Sequence, residues 1–189
     1  MKKIAVFNHI TVDGFFAGLN DEIDWSKEVK KDDEWERYIH EQASSGNSTL
    51  VFGRTTYEML KNYWTTASAI KNDPGMAHIV NNSRKIVFSK TLKKVEESLN
   101  WKNVALMNEI KPEKINKLKK EEDMMILGSG SIVQQFSNLG LIDEYSFVVV
   151  PFVLGAGKSF FQNVNRMNLK LLEAKAFKNG ITFLKYQRA

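Results

Sequence analysis

DMMILGSGSIVQQFSNLGLIDEYSFVVVPFVLGAGKSFF, residues 123–161, decides the fold. Its first apolar run, Met124 to Leu127, breaks into Gly128, Ser129, Gly130 and Ser131, after which Ile132, Val133, Phe136 and Leu139 recur at helical spacing. That order reads as strand, tight turn, helix. The first backbone N–H groups of a helix lack internal partners and carry the positive end of the dipole, so an anion, most often a phosphate, fits there. Glycines let the backbone approach such a group, and Ser129 or Ser131 can add a hydroxyl donor. A strand–Gly–helix turn also arises for geometry alone, so the rest of the chain has to decide.

With 189 residues, 43% of them hydrophobic, and three prolines, the chain is long enough for one sizeable core and is globular in composition. Nothing in it resembles a linker, which predicts a single domain over residues 1–189. Cysteine is absent, and this excludes disulfides, thiolate metal sites and cysteine nucleophiles. The start, MKKIAVFNHITVDG, interrupts its apolar run with Asn8 and His9 and lacks a small-residue cleavage site, so it reads as a first strand. No segment has the apolar length to span a bilayer, and a cytoplasmic protein is expected. The net charge of +5 comes with lysines gathered at 27–31, 90–94 and 111–120, each cluster mixed with acids. Such faces suit water and anionic small molecules, and no nucleic-acid partner is expected.

In chain order, Lys3 to Ile10 reads as a strand, followed by Thr11-Val12-Asp13-Gly14-Phe15-Phe16-Ala17-Gly18, a turn that Asp13 can brace or that can lie over a ligand. Asp32 to Ser44 has acids in its first turn and Trp35, Tyr38, Ile39 and Ala43 on one face, a helix ended by Gly46-Asn47. Thr49 to Phe52 is a buried strand that meets Gly53-Arg54-Thr55-Thr56 and a second helix. Those groups suit a phosphate, although a plain threonine N-cap explains the hydroxyls equally well. Asp73-Pro74-Gly75 opens a third helix to about Asn81; strands follow at 84–88 and 104–107, and Pro112 starts a helix over 113–119. Gly140 closes the helix after the glycine turn, and Phe147 to Val150 is apolar throughout, which predicts a strand covered on both faces. Asn179-Gly180 between two strand-like runs predicts a terminal hairpin. The fold class expected is α/β, with a largely parallel sheet, helices on both faces and an antiparallel edge.

Three strand exits carry hydroxyl or glycine clusters: Gly53-Arg54-Thr55-Thr56, Ser89-Lys90-Thr91 and Gly128-Ser129-Gly130-Ser131. In a parallel sheet all three fall on the carboxyl edge, where ligands of open α/β sheets bind. Together with TVDGFFAG, VFGRTTYE, IVFSKTL, ILGSGSIVQQF and GLIDEYSFVVVPFVLGAGKSFF, in that order, they resemble the dihydrofolate reductase-like family, in particular its bacterial branch related to the reductase domain of riboflavin biosynthesis. The resemblance covers nearly the whole chain. It implies the three-layer dihydrofolate reductase-like fold, a homodimer, and NADPH as the cofactor that passes a hydride to a small heterocyclic or carbonyl substrate, of the kind of 5-amino-6-(5-phosphoribosylamino)uracil or a pterin.

By that resemblance Gly53, Arg54, Thr55 and Thr56 would hold cofactor phosphates, and Ser89 and Lys90 would lie beside the adenosine 2′-phosphate. Gly128, Ser129, Gly130, Ser131 and Ile132 would cradle the pyrophosphate and flank the nicotinamide. The family commonly joins two glycines there by a cis peptide, whereas the second residue here is Ser129. Asp13 matches the family's loop aspartate, with substrate placement and a turn brace as its rival roles. Folate-reducing members carry a carboxylate near Glu34 or Glu36, both of which also read as solvated first-turn acids. His9, His40 and His78 share no metal-ligand spacing and read as structural, and no metal is expected. The zinc deaminase signature of bifunctional riboflavin enzymes is missing, so a stand-alone reductase is expected; a non-catalytic nucleotide- or flavin-binding module on the same scaffold is the alternative.

Overall fold

The computed structural model describes residues 2–44 and 48–189, without the side chains of Ser26 and Lys27. The chain runs β1 (Ile4–Thr11), β2 (Phe15–Ala17), α1 (Asp33–Ser44), β3 (Thr49–Gly53), α2 (Arg54–Trp64), α3 (Ala67–Asn72), α4 (Pro74–Asn82), β4 (Lys85–Phe88) and β5 (Val104–Met107). It continues with α5 (Pro112–Glu121), β6 (Met124–Leu127), α6 (Gly130–Asn138), β7 (Glu144–Val150), β8 (Lys158–Ser159), β9 (Leu169–Ala176) and β10 (Thr182–Arg188). The helix end expected at Gly46-Asn47 lies outside the described residues.

Eight strands form one sheet in the order β5-β4-β3-β6-β1-β7-β10-β9. The first six are mutually parallel, and β10 turns antiparallel to β7 and β9. Every residue of β3 and β4 is buried, as continuous apolar strands between two helix layers should be. On one face Val51, Ile86 and Ile126 pack against Ile115 of α5 and Val133 and Phe136 of α6. On the other, Leu50, Phe52 and Val87 meet Tyr57 of α2 and Val80 of α4, while Val148, Val150 and Phe183 meet Tyr38 of α1. This is the three-layer α/β arrangement expected.

Two elements were not legible. Six-residue α3, capped by the Thr66 hydroxyl on Ala69 N–H at 3.2 Å, is too short to show a helical period. β2 pairs with two-residue β8, contributed by a loop more than 140 positions away, and so carries no local signal. The terminal hairpin forms, but with Phe177 N–H on the Ile181 carbonyl at 2.9 Å, which leaves Lys178, Asn179 and Gly180 as a three-residue loop rather than a two-residue Asn-Gly turn. Gly180 takes the left-handed position at φ 88°.

Charge at the amino edge is paired. Lys3 and Lys185 meet Glu144, Lys119 meets Asp143 at 2.6 Å, and Arg84 meets Glu122. Lys85, fully buried in β4, donates to the carbonyls of Asn81, Ser83 and Lys102 at 2.9, 2.7 and 3.1 Å and stands 4.5 Å from the Trp101 ring centroid. It thereby pins the β4–β5 connection, where no helix does so.

Candidate cofactor and active site

From β1 the sheet is laid down through β3, β4 and β5 in one direction, then β6 returns between β3 and β1 and β7 lands on the far side of β1. That reversal is a switch point, the place where α/β sheets open a crevice at their carboxyl edge. Here β6 pairs with β1 only as far as Phe7 opposite Leu127, whereas β1 runs on beside β7 to Thr11 opposite Val150. A gap follows the end of β6.

The turn leaving β6 takes two consecutive left-handed residues, Gly128 at φ 54° and Ser129 at φ 56°, and no cis peptide occurs among the described residues. Gly128 N–H donates to Asn8 Oδ1 at 3.0 Å. Ser129 Oγ accepts the N–H of Gly53 at 2.7 Å and donates to Thr56 Oγ1 at 2.7 Å. One hydroxyl thus ties the end of β6 to the end of β3 and to the first turn of α2, while Asn8 ties the same turn to β1. The starts of α2 and α6 are brought together, and neither has a side-chain cap or an acid in its first turn. Backbone donors with no internal partner therefore lie on a common rim. The two turns are closely packed: a Cβ at Gly53 would come within 3.2 Å of Ser129 Oγ, and one at Gly128 within 3.1 Å of Thr56 Oγ1.

The β4 exit reaches the same rim through Arg54. Its Nε pairs with Glu58 at 2.8 Å and its Nη1 reaches Thr91 Oγ1 at 3.5 Å. Ser89 Oγ accepts the N–H of Leu92 at 3.0 Å and of Thr91 at 3.3 Å, which folds the exit into a hydroxyl-capped turn. Lys90 is exposed beside it, as are Thr55 and Ser131 on their helix starts. Gly130 is buried, and Ile132 points into the core with its N–H given to the Ser129 carbonyl at 2.8 Å. The structure therefore joins Gly53, Thr56, Gly128 and Ser129 directly and adds Arg54 and Ser89 through Thr91, with Thr55, Lys90 and Ser131 exposed nearby.

Asp13 stands across the gap. Its Oδ1 accepts the Thr11 hydroxyl at 2.6 Å and Leu154 N–H at 3.2 Å, and its Oδ2 accepts Gly155 N–H at 2.7 Å. The Thr11 hydroxyl above all, with the two loop amides, holds its pKa below the usual carboxylate range. Each oxygen accepts one loop amide and so helps to hold the turn after β1 against the loop after β7. The same turn carries Phe16 onto α6, so close that a Cβ at Gly130 would lie 2.7 Å from the ring, with Phe160 edge-on at 5.2 Å. Of the first-helix acids, Glu34 pairs with Lys175 at 3.1 Å and Glu36 with Lys31 at 3.8 Å.

Sequence reasoning assigned Asn8 no role beyond interrupting the first apolar run, and read His9 as structural. Their signal was present: two polar residues inside an otherwise apolar strand. His9 lies edge-on to Phe7 at 5.7 Å and to Trp35 at 6.4 Å, and burial pushes its pKa down to about 4. Elsewhere, a concavity of about 450 Å³ opens at the amino edge beside Thr49, Arg84, Asn103 and Glu122. Its charged groups pair with each other and no helix start faces it, so the carboxyl edge is the better candidate. Among the described residues no three His, Asp or Glu side chains gather as a metal requires, and no helix is long and apolar enough to cross a membrane.

Comparison with known proteins follows the same lines. The uncharacterized protein YyaP of Bacillus subtilis (strain 168) is 29% identical over 188 residues, 98% of this chain and 94% of that one. A putative riboflavin biosynthesis protein from Shewanella sp. PV-4 superposes with a TM-score of 0.78 at 20% identity, covering 99% of both chains. A Thermotoga maritima diaminohydroxyphosphoribosylaminopyrimidine deaminase/5-amino-6-(5-phosphoribosylamino)uracil reductase superposes with a TM-score of 0.66 at 15% identity, over 100% of this chain and 57% of that one. The RibD C-terminal domain description matches residues 2–183. The largely parallel sheet with its antiparallel edge is thus the dihydrofolate reductase-like fold, and the chain belongs to the RibD C-terminal domain family.

Proposed function

We propose that the protein is an NADPH-dependent reductase acting on a small heterocyclic or carbonyl compound. The observation that carries this reading is the Ser129 hydroxyl between Gly53 and Thr56, which sets two uncapped helix starts side by side with Arg54. Backbone N–H groups of Arg54, Thr55, Gly130 and Ser131 would hold the pyrophosphate, and Arg54, Ser89 and Lys90 the 2′-phosphate. The glycines at 53 and 128 fit this, since a Cβ at either would press on the Ser129 or Thr56 hydroxyl that joins the two starts. NADPH, when bound, supplies the hydride. The chain's own work is to hold the acceptor in the gap beyond Leu127, to keep the Asp13 brace closed over it, and to exclude water with Phe16 and Trp35.

A homodimer remains part of the proposal, and a light-scattering mass of twice the 21.7 kDa chain is its expected readout. The decisive experiment titrates NADPH into the protein while following the fluorescence of Trp25, Trp35, Trp64 and Trp101, then measures cofactor oxidation with pterins, pyrimidinones and quinones. A saturable quench with turnover supports the reductase. Absence of any quench at millimolar cofactor overturns it.

One observation favours a second reading. Asp13 is held ionised by the hydrogen bonds it accepts and His9 is held neutral, so neither stands ready as a proton donor. A nucleotide- or flavin-binding module needs no proton donor. Saturable binding without oxidation of NADPH by any of those acceptors would favour it.

A further inference from the structure

Asn179-Gly180 is the one Asn-Gly step in the sequence. The fold dictates its second residue: Gly180 lies in the left-handed region at φ 88°, and a Cβ there would stand 3.0 Å from Pro151 Cγ. Its first residue is a latch. Asn179 N–H donates to Asp32 Oδ2 at 3.1 Å and Nδ2 to the Lys30 carbonyl at 3.3 Å, while Oδ1 accepts the N–H of Ile181 at 3.1 Å. The other oxygen of Asp32 caps α1, accepting the N–H of Glu34 at 2.9 Å and of Trp35 at 3.3 Å. One carboxylate thus fastens the hairpin loop to the first turn of α1, and the Trp35 ring meets Phe177 beside that loop at 5.1 Å between centroids. Gly180 is exposed and Asn179 half-buried, so water reaches the step.

We propose that Asn179 is a site of spontaneous deamidation, and that the reaction irreversibly unfastens the terminal hairpin from the start of α1. Hydroxide takes the proton of Gly180 N, which attacks Asn179 Cγ; the N–Cγ bond forms, the Cγ–Nδ2 bond breaks, and Nδ2 leaves as ammonia with a proton from water. Water then opens the cyclic imide to aspartate or isoaspartate. The net change is one water consumed and one ammonia released, with no oxidant or reductant. Glycine offers this attack the least hindered amide and the backbone freedom to reach Cγ. In the closed loop the Gly180 N–H is donated to the Phe177 carbonyl at 3.0 Å and the Asn179 side chain is held at both ends, so the attack waits on local opening. The product cannot refasten. A carboxylate at 179 has no donor for the Lys30 carbonyl and adds a second negative charge beside Asp32, and isoaspartate lengthens the backbone by one carbon.

The test incubates the whole protein in water enriched in oxygen-18, at mildly acidic and mildly alkaline pH, and maps its peptides by mass spectrometry, so that only deamidation before digestion carries the heavy oxygen. Label should accumulate at Asn179, as aspartate and isoaspartate, and faster at the alkaline pH. Asp32→Ser keeps a hydroxyl to cap α1 but removes the oxygen that holds Asn179 N–H, so it should label about threefold faster or more. Asn179→Asp should speed amide exchange at Glu34 and Trp35 by about fivefold or more. Heavy oxygen at other asparagines but not at Asn179, equal labelling of the wild type and Asp32→Ser, or wild-type exchange at Glu34 and Trp35 in Asn179→Asp would each overturn the proposal.

Discussion

Ser129 accepts the N–H of Gly53 on its hydroxyl oxygen at 2.7 Å, and this single bond joins the ends of the adjacent strands β6 and β3. Ser129→Ala leaves that part-buried N–H and the Thr56 hydroxyl without their partner. An unpaired buried group costs about 1–3 kcal/mol, so stability should fall by that amount and NADPH affinity by about tenfold. Ser129→Gly loses the same bonds but relaxes the left-handed backbone at φ 56°. It should therefore be the more stable of the two by about 1 kcal/mol. Urea unfolding of both variants checks the order; equal midpoints would show that the backbone at 129 carries no strain.

Arg54 is held by Glu58 one helical turn away, and both side chains are about half exposed. A ligand phosphate has to draw the guanidinium from that partner. Glu58→Gln removes the competitor, and because an exposed pair is worth about 0.2–1 kcal/mol, NADPH should bind more tightly by up to about fivefold. Arg54→Ala should weaken it by about tenfold and flatten its dependence on salt. Isothermal titration across a salt series reads both, and a Glu58→Gln variant that binds more weakly would place the phosphate away from Arg54.

How much of this was legible depends on range. The apolar run Phe147–Val150 announced a strand covered on both faces, Met124–Leu127 announced a strand, and Gly53 and Gly128 announced where β3 and β6 end. What the sequence could not announce is which groups meet. Ser129 and Gly53 lie 76 positions apart, and Asp13 and Gly155 lie 142 apart. Asp13 as a turn brace and Asp13 as a ligand contact look alike until the amides of Leu154 and Gly155 are seen on its carboxylate. His9 read as structural because the histidines share no metal-ligand spacing, and its packing against Trp35 comes from a separate element, α1, and carries no local signal.

Gly130 is required by a contact rather than by its backbone. A Cβ there would stand 2.7 Å from two carbons of the Phe16 ring, closer than real contacts allow. Gly130→Ala should force Phe16 and the β2–β8 ribbon outward at a cost of about 1–3 kcal/mol. Phe16→Leu shortens the obstructing ring, so the double variant should recover part of the loss. A double-mutant cycle by chemical denaturation measures the coupling, and strict additivity would mean that the two residues do not touch.

Asp13→Asn replaces one acceptor oxygen with a donor, so either the Gly155 amide or the Thr11 hydroxyl and Leu154 amide faces a group that cannot accept from it. Amide exchange at Leu154 and Gly155 should accelerate by about tenfold or more while exchange in β1 stays slow. The wild type should show the same release only in acid. Bonding to the ionised carboxylate lowers its pKa, so the brace is complete above the ordinary value of about 3.9 and is lost as pH falls through the lowered one. Unchanged exchange in the variant at neutral pH would mean that the loop is held by other contacts.

His9 makes stability depend on pH in a narrow interval. Burial against Phe7 and Trp35 pushes its pKa from 6.5 down to about 4, so between these values the unfolded chain binds a proton that the folded chain refuses. Stability from this residue is therefore fully present above pH 6.5 and declines as pH falls toward 4, by at most about 3 kcal/mol. His9→Phe keeps the edge-on packing and removes the titration, so its unfolding free energy should fall less steeply over the same interval. His40, 3.3 Å from Asp73, and His78 are present in both proteins and cancel in the difference. Parallel stability curves would mean that the ring takes its proton in the folded protein as easily as in water, and therefore that it lies open to solvent rather than between the two aromatics.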